Sequence, residues 1–365
     1  MRKQTFGVGL IGFGTAGRIF HAPLIQATPG LELLAVVSSS PERVHDVLPE
    51  VDVLPKPAAL FARPDIDLVV IASPNETHYP LAKAALAAGK HLVVDKPFTV
   101  SLSEARLLKA EADKAERRVS VFHNRRWDSD FRTLQALVAE ESVGRPVSLE
   151  LRFDRFRPVV ADRWREQHKP GSGIWYDLGA HLLDQARTLF GMPRAILLDL
   201  MAARDGAEVD DEFHALLEYD ALRVTLRASS LVAEPTPQQA LHGTRGSFVK
   251  YGRDPQENWL REGRAPTRDW GIDPRPGKLS VDEGEGETVA LTSREHAGLP
   301  GDYLAYYAGI VESLAEGTPP PVTVEEAIEV MTLLEAGLDS YRQDRWIRLK
   351  ENNGTLRKLL HRRGA

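Results

Sequence analysis

The N-terminal third of the chain alternates between two hydrophobic patterns. Short, continuous apolar runs rich in β-branched residues occur at 6–11, 31–37, 68–72, 91–94 and 119–122. Such runs are typical of parallel strands that are buried on both faces. Segments with helical spacing separate these runs, and the alternation predicts βαβ units and a doubly wound parallel sheet, an α/β Rossmann domain over residues 1–123.

The predicted helices of this region carry sequence signals at their ends. The Ala- and Leu-rich segment 81–88 stops at Gly89, and glycine commonly ends helices. Ser101 and Glu104 form a capping-box pattern ahead of a predicted helix at 102–116. Pro23 falls about one turn into the first helix, so we expect it to kink or shorten that helix.

The hydrophobic pattern changes after Asn124. Apolar and polar residues alternate from 147 to 154, and similar patterns occur at 194–203, 212–219 and 223–231. Strict alternation predicts strands with one buried and one solvent-facing side. We therefore expect a second, α+β domain over residues 124–349, built on a large, mostly antiparallel open sheet, with a hairpin turn at 219–221.

The remaining C-terminal segments are assigned by composition. Residues 252–300 hold many Gly, Pro and charged residues, which predicts that they are mostly loop. Thr323 and Glu326 repeat the capping-box pattern and start a helix to about Tyr341, long enough to pack back on the first domain. The stretch 350–365 is a basic tail.

Composition excludes several functional classes. The net charge of -6 disfavours nucleic-acid binding, which needs a basic surface. The chain has no cysteine, which excludes disulfides, thiolate metal sites and a cysteine nucleophile. No stretch approaches the ~20 apolar residues of a membrane span, and the first apolar run is too short for a secretion signal. We therefore expect a cytoplasmic protein.

A glycine-rich turn follows the first predicted strand. Gly12-Phe13-Gly14-Thr15-Ala16-Gly17 matches the dinucleotide-binding spacing in a strand–turn–helix context. In this pattern the first glycine allows the tight turn, the second lets the backbone approach the pyrophosphate, and the third permits close helix packing. The alternative is a merely structural turn. The context favours a nicotinamide dinucleotide as cofactor.

The end of the second strand bears on which nicotinamide cofactor is used. It carries no acidic residue for the ribose hydroxyls of NAD, and instead reads Ser38-Ser39-Ser40 with Arg43 shortly after. Hydroxyls and a guanidinium suit a 2′-phosphate, which favours NADP and leaves NAD possible. The alternative is that the serines simply begin a helix.

Several separated motifs resemble one enzyme family. These are Ser73-Pro74-Asn75-Glu76-Thr77-His78, Asp95-Lys96-Pro97 and the stretch 173–181 with its Asp-x-x-x-His pattern. They resemble the cofactor-ribose loop, the Glu-Lys-Pro motif and the catalytic helix of the glucose-fructose oxidoreductase/inositol dehydrogenase (Gfo/Idh/MocA) family. The stretches 123–128 and 242–252 are similar to its branch of NADP-dependent scyllo-inositol 2-dehydrogenases.

Lys96 is the first catalytic residue that the resemblance implies. It follows a strand, so it lies at the carboxyl edge of the sheet, where such folds bind ligands. A cation at that edge stabilises the negative charge that develops on an oxygen during hydride transfer. Asp95 stands where the family usually has Glu, and its shorter side chain alters the expected pairing with a neighbouring residue or the ribose. The alternative for Lys96 is a solvated surface lysine.

Asp177 and His181 complete the predicted catalytic set. They are four residues apart and thus neighbours on a helix face. Histidine exchanges protons near neutral pH, and an adjacent carboxylate orients its ring. The alternative is a purely structural Asp–His pair. Asp184 lies on the same face as a further partner, but the ligands of a zinc site are missing, so we predict no metal.

The substrate contacts are predicted from the motifs. We expect Asn124, Arg125, Trp127 and Tyr176 to contact the substrate, while Arg126 is an alternative candidate for an interdomain salt bridge. His21 is assigned to packing and left outside the site. Trp164-Arg165-Glu166 resembles a run of the same branch, with no purpose assigned.

These residues together predict a dehydrogenase that acts on a secondary alcohol of a cyclic polyol or sugar. The alternatives are an aldose or dihydrodiol dehydrogenase of the same family and a non-catalytic NAD(P)-sensing regulator, because a fold does not fix a function. The resemblance also implies a homodimer or homotetramer.

Overall fold

The computed structural model describes residues 5–267, 270–284 and 288–350. These residues belong to two compact units. Unit 1 comprises the chain up to Asp128 together with 254–272 and 300–331. Unit 2 comprises 129–253, 273–299 and the chain from Thr332 onward.

Unit 1 is built on a six-stranded, fully parallel sheet of strand order β3-β2-β1-β4-β5-β6. The strands are β1 (Phe6–Ile11), β2 (Leu31–Val37), β3 (Asp52–Leu54), β4 (Leu68–Ile71), β5 (His91–Val94) and β6 (Val119–Val121). The predicted parallel Rossmann sheet is confirmed. The strand order reverses between β1 and β4, and ligands bind at such a switch point, outside the carboxyl ends of the strands.

Five helices of unit 1 lie on the connections between strands of this sheet, and two more come from later segments of the chain. The helices of unit 1 are α1 (Ala22–Ala27), α2 (Pro41–His45), α3 (Pro57–Phe61), α4 (His78–Ala87), α5 (Leu102–Ala115), α8 (Gln256–Arg261) and α9 (Tyr303–Glu316). The predicted cap of α5 is present, since Glu104 N donates to Ser101 Oγ at 3.2 Å.

The helix after β1 has two parts. It begins as a wide π-helix at Ala16–His21 and continues as α1, which has Pro23 in its first turn. Ala22 N still donates to Gly17 O in the π-helical pattern, and Pro23, which has no N–H to donate, lies where that pattern gives way to the α-helix. The expected irregularity near Pro23 is therefore a change of helix type.

Unit 2 is built on a nine-stranded sheet of order β14-β13-β12-β11-β7-β10-β9-β8-β15. Its strands are β7 (Pro146–Arg152), β8 (Ala195–Met201), β9 (Glu212–Glu218), β10 (Arg223–Ser229), β11 (Pro237–Gly243), β12 (Gly246–Tyr251), β13 (Gly277–Asp282), β14 (Leu291–His296) and β15 (Ile347–Arg348). All neighbours are antiparallel except β7 and β10. This confirms the mostly antiparallel sheet, and Tyr219 N donates to Leu222 O at the predicted hairpin turn.

Three helices accompany this sheet: α6 (Ser129–Ala139), α7 (Ala180–Phe190) and α10 (Val324–Gln343), whose first eight residues belong to unit 1. The predicted capping box of α10 is present, with Glu326 N donating to Thr323 Oγ1 at 3.2 Å. Its C-terminal half packs on β8, where Leu198 N donates to Ser340 Oγ at 3.1 Å. None of the helices described is both long and apolar enough to cross a membrane.

Most of the described residues of 252–300 lie outside helices and strands, as predicted, but the composition did not predict the regular elements that the stretch contains. This stretch contains α8 and the strands β13 and β14. Every residue of β14 is at least partly exposed, so the strand depends on backbone pairing with β13 and has no apolar alternation. Of the predicted basic tail, residues 350–365, only Lys350 belongs to the described residues.

Two glycines of the turn after β1 have opposite surroundings. A Cβ added at Gly17 would lie 2.0 Å from Gly12 O, so only glycine lets the helix pack this closely on the turn. A Cβ added at Gly14 would meet no described atom within 4 Å. The space beside the Gly14 backbone is open.

This contrast predicts different outcomes for two alanine variants. Gly17→Ala should lower the free energy of unfolding by about 2 kcal/mol or more, because the turn and helix must move apart. Gly14→Ala should change it by less than about 1 kcal/mol. Urea denaturation of both variants measures the difference, and equal losses would contradict the packing described for Gly17.

Candidate active site

The carboxyl edge of the unit 1 sheet brings three motifs together. Gly12 has a φ of 95°, and its N–H donates to Val37 O at 3.0 Å. A Cβ on Gly12 would lie 2.6 Å from Ala72 O, so the turn after β1 lies directly against the end of β4. This close approach requires glycine and places the turn at the switch point of the sheet.

The turn fits a dinucleotide pyrophosphate. Gly14 and Thr15 are exposed and Gly14 has open space where a side chain would stand. Arg18 N donates to Gly14 O at 3.0 Å, which starts the helix immediately after this opening. Phosphate oxygens are bound by backbone N–H groups in such a position. Phe13 is buried and Ala16 is half-buried, so neither is as open to a ligand as Gly14 and Thr15.

His78 joins the loops that follow β4 and β5. Its ring is fully buried, with Nδ1 at 3.0 Å from Pro97 O and Nε2 at 3.0 Å from Ser73 O. Burial lowers the pKa of His78, against the opposing effect of Asp95. The predicted cofactor-ribose loop 73–78 is thus fixed to the Asp95-Lys96-Pro97 loop, with Pro74 and buried Asn75 between its ends.

Asp95 and Lys96 are both buried at the end of β5. Asp95 N donates to Ile71 O at 2.8 Å, which continues the pairing with β4. The Asp95 carboxylate turns back on the chain, because its Oδ1 accepts the N–H of Lys96 at 2.8 Å. The short side chain that departs from the family pattern therefore fixes the backbone from which Lys96 extends.

The serines after β2 and Arg43 lie beside this edge. Ser40 N donates to Ser38 Oγ at 3.1 Å, while the Ser40 side chain makes no capping bond to α2. Ser39 and Arg43 are exposed. The hydroxyls of Ser39 and Ser40 are therefore not used to begin the helix, which weakens the purely structural alternative.

In unit 2, the chain before α7 forms a second π-helix, at Trp175–Gly179. Asp210 anchors its start, with Oδ2 accepting Trp175 N at 2.7 Å and its carbonyl accepting Ile174 N at 2.8 Å. Burial raises the pKa of Asp210 to about 6. π-Helical turns occur frequently at functional sites.

The predicted pair Asp177 and His181 lies at the junction of this π-helix and α7. His181 is buried, and the Asp177 side chain is 28% exposed. Asp184, one turn further along α7, is also buried. Tyr176 is half-buried beside Asp177. No group of three acidic or histidine side chains suited to a metal ion occurs in the described part of the chain.

Arg165 contacts the candidate site and was given no role by sequence reasoning. Its Nε lies 3.7 Å from Asp177 Oδ1, and its guanidinium lies 4.6 Å from the centre of the Trp164 ring. The neighbouring Glu166 is buried and pairs with Arg204, whose Nε donates to Asp211 Oδ2 at 2.7 Å. The unexplained Trp164-Arg165-Glu166 resemblance was the available signal.

The predicted substrate segment 123–128 lies in unit 1 and is held by an ion-pair network. Arg125 donates to Glu257 Oε2 at 2.6 Å and to Asp128 Oδ2 at 3.2 Å. Burial raises the pKa of the Glu257 carboxyl, but the neighbouring Arg125 guanidinium outweighs this effect and lowers the pKa to about 2. Tyr303 OH donates to Asp128 Oδ1 at 2.6 Å. The charge of Arg125 is therefore compensated within the protein.

The other residues of this segment have separate contacts. Trp127 O accepts Gln256 Nε2 at 3.1 Å and Asp302 N at 2.8 Å. Arg126 pairs with Glu326 at 3.0 Å, and both residues belong to unit 1, so this ion pair is not the interdomain salt bridge considered as its alternative role. Asn124 is buried, whereas Trp127 is half-buried.

Comparison with known proteins gives the family of the chain. Residues 6–123 match the model of an oxidoreductase family with an NAD-binding Rossmann fold, and 135–349 match the C-terminal alpha/beta domain of the same family. The chain is 54% identical over 336 residues to the uncharacterized oxidoreductase YdgJ of Escherichia coli, covering 91% of this chain and 95% of that protein.

Two further relatives cover nearly the whole chain. It is 39% identical over 353 residues to the scyllo-inositol 2-dehydrogenase (NADP(+)) IolW of Bacillus subtilis, covering 96% of this chain and 97% of the relative. The solved structure of the YPO2259 oxidoreductase from Yersinia pestis superposes with a TM-score of 0.91 at 49% identity, covering 96% and 99% of the two chains. The chain belongs to the Gfo/Idh/MocA family of NAD(P)-binding oxidoreductases.

Proposed function

We propose that the protein is an NADP-dependent dehydrogenase of a secondary alcohol on a cyclic polyol, with an inositol such as scyllo-inositol as the best candidate substrate. The observation that carries the proposal is its 39% identity, over 96% of the chain, to an NADP-dependent scyllo-inositol 2-dehydrogenase. The presence of Lys96, Asp177 and His181 supports it, because a sensor without turnover has no need of all three.

The proposed chemistry uses three side chains. His181 accepts the proton of the substrate hydroxyl, and Asp177 holds the imidazole in orientation. Lys96 stabilises the negative charge that develops on the oxygen. The nicotinamide, when bound, supplies the position that accepts the hydride. In the reverse direction His181 returns the proton.

The predicted substrate contacts take different roles in this proposal. Asn124 and Tyr176 supply polar atoms for hydroxyl groups, and Trp127 supplies an apolar ring face for the C–H face of a polyol. Arg125 is paired with Asp128 and Glu257, so it stabilises this segment and adds no uncompensated charge to the substrate. A neutral polyol fits that balance better than an anionic sugar acid.

The preference for NADP is proposed from the chain after β2. Exposed Ser39 and Arg43, the uncommitted Ser40 hydroxyl and the lack of an acidic residue at the strand end suit a 2′-phosphate. The name of the Bacillus subtilis relative points to the same cofactor.

The experiment that tests the reaction class is a screen of inositols, aldoses and dihydrodiols with NADP and NAD, monitored as nicotinamide absorbance. Turnover of inositols above aldoses and dihydrodiols supports the proposal. A preference for open-chain sugars or dihydrodiols would replace it with the alternative dehydrogenase. Cofactor binding without turnover of any substrate would favour the NAD(P)-sensing regulator.

Removal of the catalytic side chains should affect turnover and spare cofactor binding. Lys96→Ala and His181→Ala should each lower kcat by roughly 10²-fold or more, the scale of a lost acid/base or charge-stabilising group. Steady-state kinetics on the best substrate provides the measurement, with fluorescence titration of NADPH as the binding check.

Matched controls for these variants are Lys83→Ala in α4 and His214→Ala in β9, both exposed members of the same units. They should retain kcat within about twofold. Full turnover in Lys96→Ala and His181→Ala would remove the proposed roles.

Arg43 provides the test of cofactor preference. Arg43→Ala should raise the KM for NADP about tenfold, since it removes a charge-assisted hydrogen bond to the 2′-phosphate. The KM for NAD serves as the internal control and should not change. Wild-type protein with a higher kcat/KM for NAD than for NADP would overturn the assignment.

A further inference from the structure

His21 lies behind the glycine-rich turn and is not used by the proposed chemistry. It is the last residue of the π-helix Ala16–His21, and its ring is fully buried. The ring packs on Phe122, with ring centres 4.3 Å apart. Its two nitrogens face different groups, Tyr307 of α9 on one side and Asp95 on the other.

The contacts of His21 define where its proton lies. Tyr307 OH is 2.6 Å from Nδ1, and burial keeps the pKa of Tyr307 well above its ordinary value. Burial also lowers the pKa of His21 to about 4, although Asp95 raises it, so the ring is neutral near pH 7. A lone pair on Nε2 would face the Asp95 carboxylate, so this arrangement favours the ring proton on Nε2, with the Tyr307 hydroxyl donating to Nδ1.

The Nε2–H then faces the Asp95 carboxylate. Nε2 is 4.0 Å from Asp95 Oδ1 and has no hydrogen-bond partner in the described part of the chain. A buried donor without a partner is unfavourable, and such groups in a native protein often have a functional reason. Here its partial positive charge lies next to a carboxylate in a low-dielectric interior, where the attraction is strong.

The same carboxylate oxygen also contacts the backbone of the loop Asp95-Lys96-Pro97. Asp95 Oδ1 accepts the backbone N–H of Lys96 at 2.8 Å. A series of contacts therefore runs from Tyr307 through His21 and Asp95 to the backbone of Lys96. On the other side of the loop, His78 holds Pro97 O, so the residues before and after Lys96 are both fixed.

We propose that His21 and Tyr307 are positioning residues, which set the direction of the Lys96 side chain by holding the Asp95 carboxylate against the Lys96 N–H. The proposal rests on the proposed catalytic role of Lys96. The short Asp95 side chain suits this role, because its Oδ1 accepts the N–H of Lys96 and also faces the His21 ring.

The test is a double-mutant cycle between Tyr307→Phe and Lys96→Ala. Tyr307→Phe removes one hydroxyl and should lower kcat about fivefold, with the KM and Kd for NADP unchanged. In the Lys96→Ala background the same change should have no further effect on kcat, because its effect passes through that lysine. Tyr306→Phe is the matched control. Tyr306 is equally buried, but its hydroxyl donates to Ser120 Oγ at 2.9 Å, and its loss should leave kcat within about twofold.

Two variants of His21 provide an independent measurement. The amide of Gln reaches the place of Nε2 and that of Asn the place of Nδ1, so His21→Gln should retain several-fold more kcat than His21→Asn. Since His21 in the wild-type protein stays neutral above its pKa of about 4, the fold-loss in kcat of each variant should be equal at pH 6 and pH 9. These variants also give a result if Tyr307→Phe fails to fold, as judged by thermal unfolding.

The outcomes separate this proposal from the proposed function. Full kcat in Lys96→Ala would overturn the role of the lysine and the positioning proposal with it. A large loss in Lys96→Ala, combined with full kcat in Tyr307→Phe and both His21 variants, would overturn the positioning proposal alone. A loss from Tyr307→Phe that persists undiminished without Lys96, or that Tyr306→Phe reproduces, would likewise reduce the pair to a packing role.

Discussion

The close approach of Gly17 to Gly12 O is the constraint on which the rest of unit 1 depends. With no side chain at residue 17, the helix leaves β1 in contact with the turn that precedes it. This contact leaves the Gly14 backbone open for a phosphate. It also carries His21, four residues further on, into the interior beside Asp95. One helix thus shapes the cofactor turn and reaches the loop of the candidate catalytic lysine.

Buried polar groups at the sheet edge are satisfied mostly by backbone atoms. His78 faces two carbonyl oxygens, to one of which its neutral ring donates, and Asp95 accepts the N–H of Lys96. Such contacts fix loops without adding charge, because the partners are peptide groups. The loops that present the candidate site are therefore held by side chains that need not contact substrate themselves. Preorganisation of this kind is the main way in which a protein stabilises developing charge.

The sequence predicted most of the fold because burial leaves a clear pattern. Strands such as β1 and β4 are buried on both faces and appear as unbroken apolar runs. β14 has no buried residue, so its existence depends on pairing with β13 and could not be read from hydrophobicity. β3 was missed because it has three residues and only partial burial.

The candidate site was predictable where spacing has a chemical reason and not where it depends on tertiary contacts. The glycine turn and Lys96 follow from local motifs. His21 was assigned to packing, since a lone buried histidine looks the same in sequence whether it faces a side chain of the site or not. Arg165 approaches Asp177 across twelve residues, and only the folded chain brings the two together.

The segment 254–272 contacts the predicted substrate segment within unit 1. It is inserted between β12 and β13, and Lys250 and Asp273 at its two ends form a buried ion pair at 2.9 Å. Within unit 1 this insertion supplies Gln256, which binds Trp127 O, and Glu257, which binds Arg125. The predicted substrate segment is thus held by an insertion outside the glycine turn and the lysine loop. The insertion also reaches the helix of the glycine turn, because α8 packs on the π-helix Ala16–His21. Changes in the insertion can therefore alter both the predicted substrate segment and the support of the glycine turn.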